Sequence, residues 1–165
     1  MGNKKLFSVY LGGRAESCNI ELHDVVFVVG SCIEETYPQL IHEWFGSRKR
    51  LHIDCYAELR NIDGYEISVK EERFNEGQEN KLYFVHYGAY ISNVYREIHE
   101  TAFYVGPSKD FVIKRAKEEL CRDLLEVHLD DIIDVQSCIG GAYSIQLEKS
   151  RSLPTFEVKC GYVKL

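Results

Sequence analysis

No apolar run in this chain approaches the ~20 residues that a helix needs to cross a bilayer, so a helical membrane anchor is excluded. There is no basic excess either. With net charge −6 and pI ≈ 5.5, the chain has no cationic stripe to displace counterions, which argues against nucleic acid as a partner. The one compact basic run, Arg48-Lys49-Arg50, reads as a solvated turn. The opening residues lack an apolar stretch, and Leu6 stands where a myristoylation site wants Ser or Thr. The expectation is a cytoplasmic protein without an export leader. None of the six cysteines (Cys18, Cys32, Cys55, Cys121, Cys138, Cys160) forms a C-x-x-C pair. They read as reduced thiols packed as small apolar residues, not as bridges or zinc ligands. G-x-S-x-G, H-E-x-x-H, Walker and Rossmann signatures are absent as well.

What is there is a chain of ordinary globular make-up, 45% hydrophobic and 28% charged over 165 residues. That length suits one domain or two very small ones sharing a core, and needs no metal or disulfide to fold. The strongest signal is internal. Lys5–Gly12 (KLFSVYLG) matches Lys81–Gly88 (KLYFVHYG) at a shift of 76, and the same shift carries Glu21–Gly30 onto Glu97–Gly106 and Leu51–Asp54 onto Val127–Asp130. Nine of the 26 positions from 5 to 30 are identical without a gap. After two inserted residues, Tyr65 meets Tyr143. Such self-similarity marks a duplicated unit. The expected organisation is a first repeat over 1–69, a polar connector over 70–80 interrupted only by Phe74, a second repeat over 81–148, and an extension over 149–165.

Each repeat reads strand, strand, helix, strand, strand. Lys5–Leu11 is β-rich, and Asp24–Val29 is apolar nearly throughout, as in a strand covered on both faces. Ser31 and Glu34 have capping-box spacing, and Pro38 should kink the following helix or delay its start. Tyr37, Trp44 and Phe45 read as core at helical spacing. In the second repeat a helix is expected over 109–125. Leu51, Ile53, Cys55, Ala57 and Leu59 alternate with His52, Asp54, Tyr56 and Glu58, and Asn61–Gly64 reads as a turn. Thr155–Leu165 alternates too and suits an edge strand. The fold class expected is α+β: two tandem ββαββ repeats, a mostly antiparallel sheet with one main helix per repeat, in a pseudo-twofold arrangement.

The strings Leu11-Gly12-Gly13, Asn19–Gly30, Tyr37–Leu40, Trp44-Phe45-Gly46 and Leu51–Asp54 resemble a small bacterial family catalogued only as a domain of unknown function, number 1543 of that series. The resemblance covers most of the first repeat and the second more loosely, where the Gly-Gly, Tyr-Pro and Trp-Phe-Gly elements are gone. It implies a bacterial, cytoplasmic protein with one or two copies of the domain. It brings no activity, cofactor or catalytic residue.

Chemistry, if the chain carries any, concentrates on the repeated polar positions. His23 and His99 are equivalent, as are His52 and His128. Glu21, Glu97, Asp54 and Asp130 stand two residues from them, so each His–carboxylate pair shares a strand face. Imidazole and carboxylate are ligands that divalent metals prefer. The functional reading is a divalent-metal or small-molecule site in a groove between repeats. The plainer reading is capping and local hydrogen bonds. From His23 onward the order βαβββ looks like the glyoxalase and dioxygenase (vicinal oxygen chelate) superfamily, which implies the alternative of a metal-dependent enzyme. Gly12-Gly13-Arg14 is a weaker candidate for cradling an anion through backbone N–H groups. The leading expectation is a ligand-binding or protein-interaction module whose partner is a second copy or another protein, with neither nucleic acid nor membrane.

Overall fold

A computed structural model describes residues 3–72, 77–151 and 157–165; Phe74 of the connector and Thr155 of the expected last strand lie outside them. The chain is α+β, with two helices and ten strands among the described residues, and every strand pairing is antiparallel.

The two copies of the repeat set up the same three-strand core. In the first, β1 (Lys5–Arg14) lies between β2 (Leu22–Gly30) and β3 (Ser47–Glu58). In the second, β6 (Lys81–Tyr90) lies between β7 (Ile98–Gly106) and β8 (Leu125–Asp134). Gly12 stands opposite His23 on one side and His52 on the other. Gly88 stands opposite His99 and His128 in the same way. Both third strands carry a bulge at one equivalent place. Tyr10 pairs with Cys55 but Leu11 with Ile53, and His86 pairs with Asp131 but Tyr87 with Leu129. Asp54 and Asp130 are therefore the extra residues, and a bulge re-aims the side chain it carries.

Helix α1 (Tyr37–Glu43) follows a 3-10 turn over Glu34–Thr36. Pro38 sits in its first turn, where the missing N–H costs nothing, so the α-helix starts late. The expected capping box shifts by one residue for the same reason. Ser31 donates its backbone N–H (2.5 Å) and its hydroxyl (2.6 Å) to Glu35, not Glu34. Helix α2 (Lys109–Glu119) has a true cap, Ser108 Oγ accepting from Phe111 N at 3.2 Å. It stops short of residue 125 because the backbone passes through left-handed conformations at Cys121 and Asp123.

Odd-numbered residues of β1 (Phe7, Val9, Leu11) join Val26, Val28, Leu40 and Trp44 in one apolar core. Tyr83, Val85 and Tyr87 join Val112 and Ala116 of α2 in another. Phe45 does not belong to the core as expected. The chain turns extended at Trp44, so Trp44 stays buried while Phe45 is 58% exposed and rests on the Trp44 ring at 4.5 Å. Because the odd positions of β1 and β6 are spent on the cores, Gly12 and Gly88 belong to the opposite face.

The remaining strands form a further three-stranded sheet and add one edge strand to the first sheet. A short β4 (Asn61–Ile62) turns through Asp63 and Gly64, both at positive φ, into β5 (Tyr65–Lys70). That is the conformation a two-residue type I′ hairpin requires. Strand β9 (Ser144–Lys149) pairs along β5, and β10 (Val158–Lys164) adds to β3 at the sheet edge, giving the order β10-β3-β1-β2. The chain accordingly forms two compact units, 1–74 with 138–165, and 75–137. These units do not coincide with the repeats, because the last strand of the second repeat is paired to the last strand of the first. No described helix is long and apolar enough to cross a membrane.

Candidate metal centres

The repeated polar residues gather into two clusters, each drawn from one repeat and lying within one compact unit. In the first, the row His23–Gly12–His52 runs across β2, β1 and β3. With no side chain at its centre, the row lets the flanking groups close over the glycine. A Cβ on Gly12 would come within 2.6 Å of both Asp54 Oδ2 and His52 Nε2. His52 Nε2 lies 3.2 Å from Asp54 Oδ1 and 3.6 Å from Glu21 Oε1, and His23 Nε2 lies 3.3 Å from Asp54 Oδ2. The second cluster repeats the plan over Gly88, where a Cβ would meet Glu97, His128 and Asp130 at 2.7–2.8 Å. His128 Nε2 lies 2.9 Å from Glu97 Oε1 and 3.1 Å from Asp130 Oδ1, and His99 Nε2 lies 3.3 Å from Glu97 Oε2 and 3.5 Å from Asp130 Oδ2.

The backbone orients the imidazoles of the third strands in an identical way. Arg50 and Glu126, equivalent residues, both adopt positive φ (71° and 47°). Each carbonyl then lies 2.8 Å from the Nδ1 of the histidine two residues on, His52 or His128. A carbonyl can only accept, so Nδ1 carries the proton, and in the neutral ring the lone pair is left on Nε2. That nitrogen faces the carboxylates. A ring held through Nδ1–H by a carbonyl, with Nε2 aimed at other ligands, is how proteins prepare histidine for a metal. Placing a non-glycine residue at positive φ in both copies carries a local conformational cost.

Among the described residues one buried side-chain oxygen makes no hydrogen bond, Asp54 Oδ2, and His23 Nε2 lies 3.3 Å from it. A buried carboxylate oxygen without a donor is costly in water-free surroundings, and a cation beside it would remove the cost.

The two clusters differ at their margins. Where the first has Tyr10, the second has His86, whose Nε2 lies 3.6 Å from Asp130 Oδ2 and whose ring stacks on His99 at 4.6 Å. One ligand atom each from His86, His99 and Asp130 falls within 4.8 Å of the others, and the same holds for Glu97, His128 and Asp130. Burial, and then the His99 beside it, hold His86 below its ordinary 6.5. His128 is held above it, chiefly by the Glu126 carbonyl and then by the charges of Asp130 and Glu97. In the first cluster Tyr10 stacks on His23 at 5.3 Å, and Tyr162 of β10 stacks on His52 at 4.0 Å. His52 is 1% exposed, whereas His128, with no described strand beyond β8, is 42% exposed.

All eight paired residues expected from the sequence lie in these clusters. Gly12, Gly13 and Arg14 lie within β1, not in a loop. Gly12 makes room for the cluster, a Cβ on Gly13 would sit 2.8 Å from the Trp44 ring, and Arg14 donates to the carbonyls of Cys18 and Asn19. Sequence reasoning passed over His86 because it looked for residues present in both copies, and His86 matches Tyr10. The role of Gly12 and Gly88 was within reach, since both are identical across the repeat.

The model of one protein family, Domain of Unknown Function (DUF1543), matches residues 18–69 and 95–147. The chain is also similar to a solved structure, the crystal structure of a protein Il1583 from Idiomarina loihiensis, with 32% identity over 98% of this chain and 97% of that one and a TM-score of 0.70. No curated protein matches the chain.

Proposed function

This chain belongs to the DUF1543 family, whose description carries no activity, and from its side chains we propose that it is a ligand-binding module for divalent cations with two equivalent sites, one on each repeat. The observation that carries the reading is the duplicated preparation of one imidazole nitrogen. In both copies a left-handed residue supplies the carbonyl that holds Nδ1, and Nε2 meets two carboxylates over a glycine. Local capping explains one such contact; it does not explain a strained residue, a bulged Asp and a side-chain-free central position recurring together. The unpartnered Asp54 Oδ2 adds support. Mixed imidazole and carboxylate donors favour borderline ions such as zinc or nickel over calcium, with the harder manganese held less tightly.

The pairing of β5 with β9 supports the finer reading of two ββαββ repeats in pseudo-twofold relation. The match of Tyr65 to Tyr143 carries Ser68 onto Gln146, and these two residues are opposite one another in the ladder. Exchange of the repeats leaves that register unchanged. The reading preferred here puts a site inside each repeat, so it does not require the shared central site of a glyoxalase-type enzyme.

The test is calorimetric titration of chelator-treated full-length protein with zinc, nickel and manganese ions. Two equivalents are expected to bind, one in His52→Ala or His128→Ala and none in the double variant. Equal uptake by the double variant would remove the proposal.

A further inference from the structure

We infer that Cys55 and Cys160 form a reversible dithiol–disulfide pair that staples strand β10 onto β3. The two residues are direct partners in the antiparallel ladder between these strands, so their side chains stand on the same face of the sheet. Directly opposed residues of such a ladder have Cα atoms about 4.5–5.5 Å apart, inside the roughly 4.4–6.8 Å that a disulfide spans. Among the described ladders no other two cysteines are partners.

The two thiols are suited to different steps. Cys160 is exposed on the edge strand, while Cys55 is partly covered in the neighbouring one. A low-molecular-weight disulfide reaches Cys160 first. The Cys160 thiolate attacks one of its sulfurs, forms a mixed disulfide, and releases one small thiol. Cys55 then loses its proton to water and attacks Cys160 Sγ, and the second small thiol leaves. Two protein thiols are oxidised, one small disulfide is reduced to two thiols, and the electrons balance without a further reactant. A thiol reductant runs the sequence backwards.

The site of the staple gives it a purpose. The ladder slips immediately beyond Cys160, and the displaced residue Tyr162 is the one stacked on His52. β10 is the outermost strand of its sheet, and all its side chains are exposed, so little apolar burial holds it. A cross-link at Cys160 holds the strand, and the Tyr162 ring with it, against the sheet. The covalent step itself is independent of the cation reading and is tested without metal.

The experiment treats chelator-stripped, full-length protein with oxidised glutathione, then alkylates remaining thiols and maps peptides without reduction. The expected result is the joint loss of the Cys55 and Cys160 thiols, a peptide joining Cys55 to Cys160, and slower hydrogen exchange of β10 amides, all reversed by dithiothreitol. Cys55→Ser should trap glutathione on Cys160, and Cys160→Ser should leave Cys55 unmodified. Full alkylation of Cys55 and Cys160 under conditions that oxidise Cys32 or Cys138 would overturn the inference, as would linkage only between chains.

Discussion

The two clusters start from the same four residues in the same order, Glu, His, His and Asp, and end in different surroundings. The first is covered: a fourth strand lies beyond β3, Tyr162 stacks on His52, and Tyr10 adds an aromatic wall. The second is open at its edge strand and richer in nitrogen, with His86 added to His99 and His128. The four shared donors, under different cover, should exchange a bound ion at different rates. An added imidazole should raise affinity and select softer ions. The comparison thus predicts a slow, enclosed first site and a faster, tighter-binding second site.

The sharpest way to break this pairing is to put a side chain at one glycine at a time. Gly88→Ala places a Cβ on three ligand groups, and Gly12→Ala on two. Each substitution should abolish one equivalent of bound cation and leave the other, with a stability cost of about 1–3 kcal/mol from overpacking. Cation stoichiometry and thermal melting measured side by side check both parts. Loss of both equivalents in either variant would mean that the clusters are not independent sites.

A smaller change should convert one site toward the other. His86→Tyr gives the second cluster the residue of the first and should weaken zinc binding there by roughly 10- to 100-fold, the effect common for a lost supporting contact. Tyr10→His should strengthen the first. Competition titration with a chromophoric chelator measures both, and unchanged affinity in His86→Tyr would show that His86 only packs against His99.

The smallest effect lies in proton uptake by the cation-free protein. His86, depressed by burial and by His99, should protonate below 6.5, and His128, raised by the Glu126 carbonyl and neighbouring carboxylates, above it. The signs for stability follow. The His128 contribution is complete below pH 6.5 and fades as pH rises through its elevated native value. The His86 contribution is present above pH 6.5 and disappears as pH falls through its lowered one. Proton NMR of the imidazole signals resolves the two, and a reversed order would show that the neighbouring charges are arranged otherwise.

Much of this was legible without coordinates. The duplication, the α+β class and the eight paired residues come from residue identity alone, because periodicity and spacing are local properties of a chain. Particular elements were not legible for particular reasons. The shift of the cap from Glu34 to Glu35 depended on where Pro38 let the helix begin. The exposure of Phe45 depended on the helix ending one residue before Trp44. His86 was hidden because its counterpart is Tyr10.

What the sequence determined by itself was which side chains are present twice and which faces of the strands they share. Only the tertiary structure decided that Asp54 and Asp130 are bulged toward the histidines, that Arg50 and Glu126 turn their carbonyls onto Nδ1, and that β10 covers one cluster and leaves the other open. Those outcomes depend on register and on pairing between strands far apart in the chain, and register is a property of two strands together, which neither strand's own sequence contains.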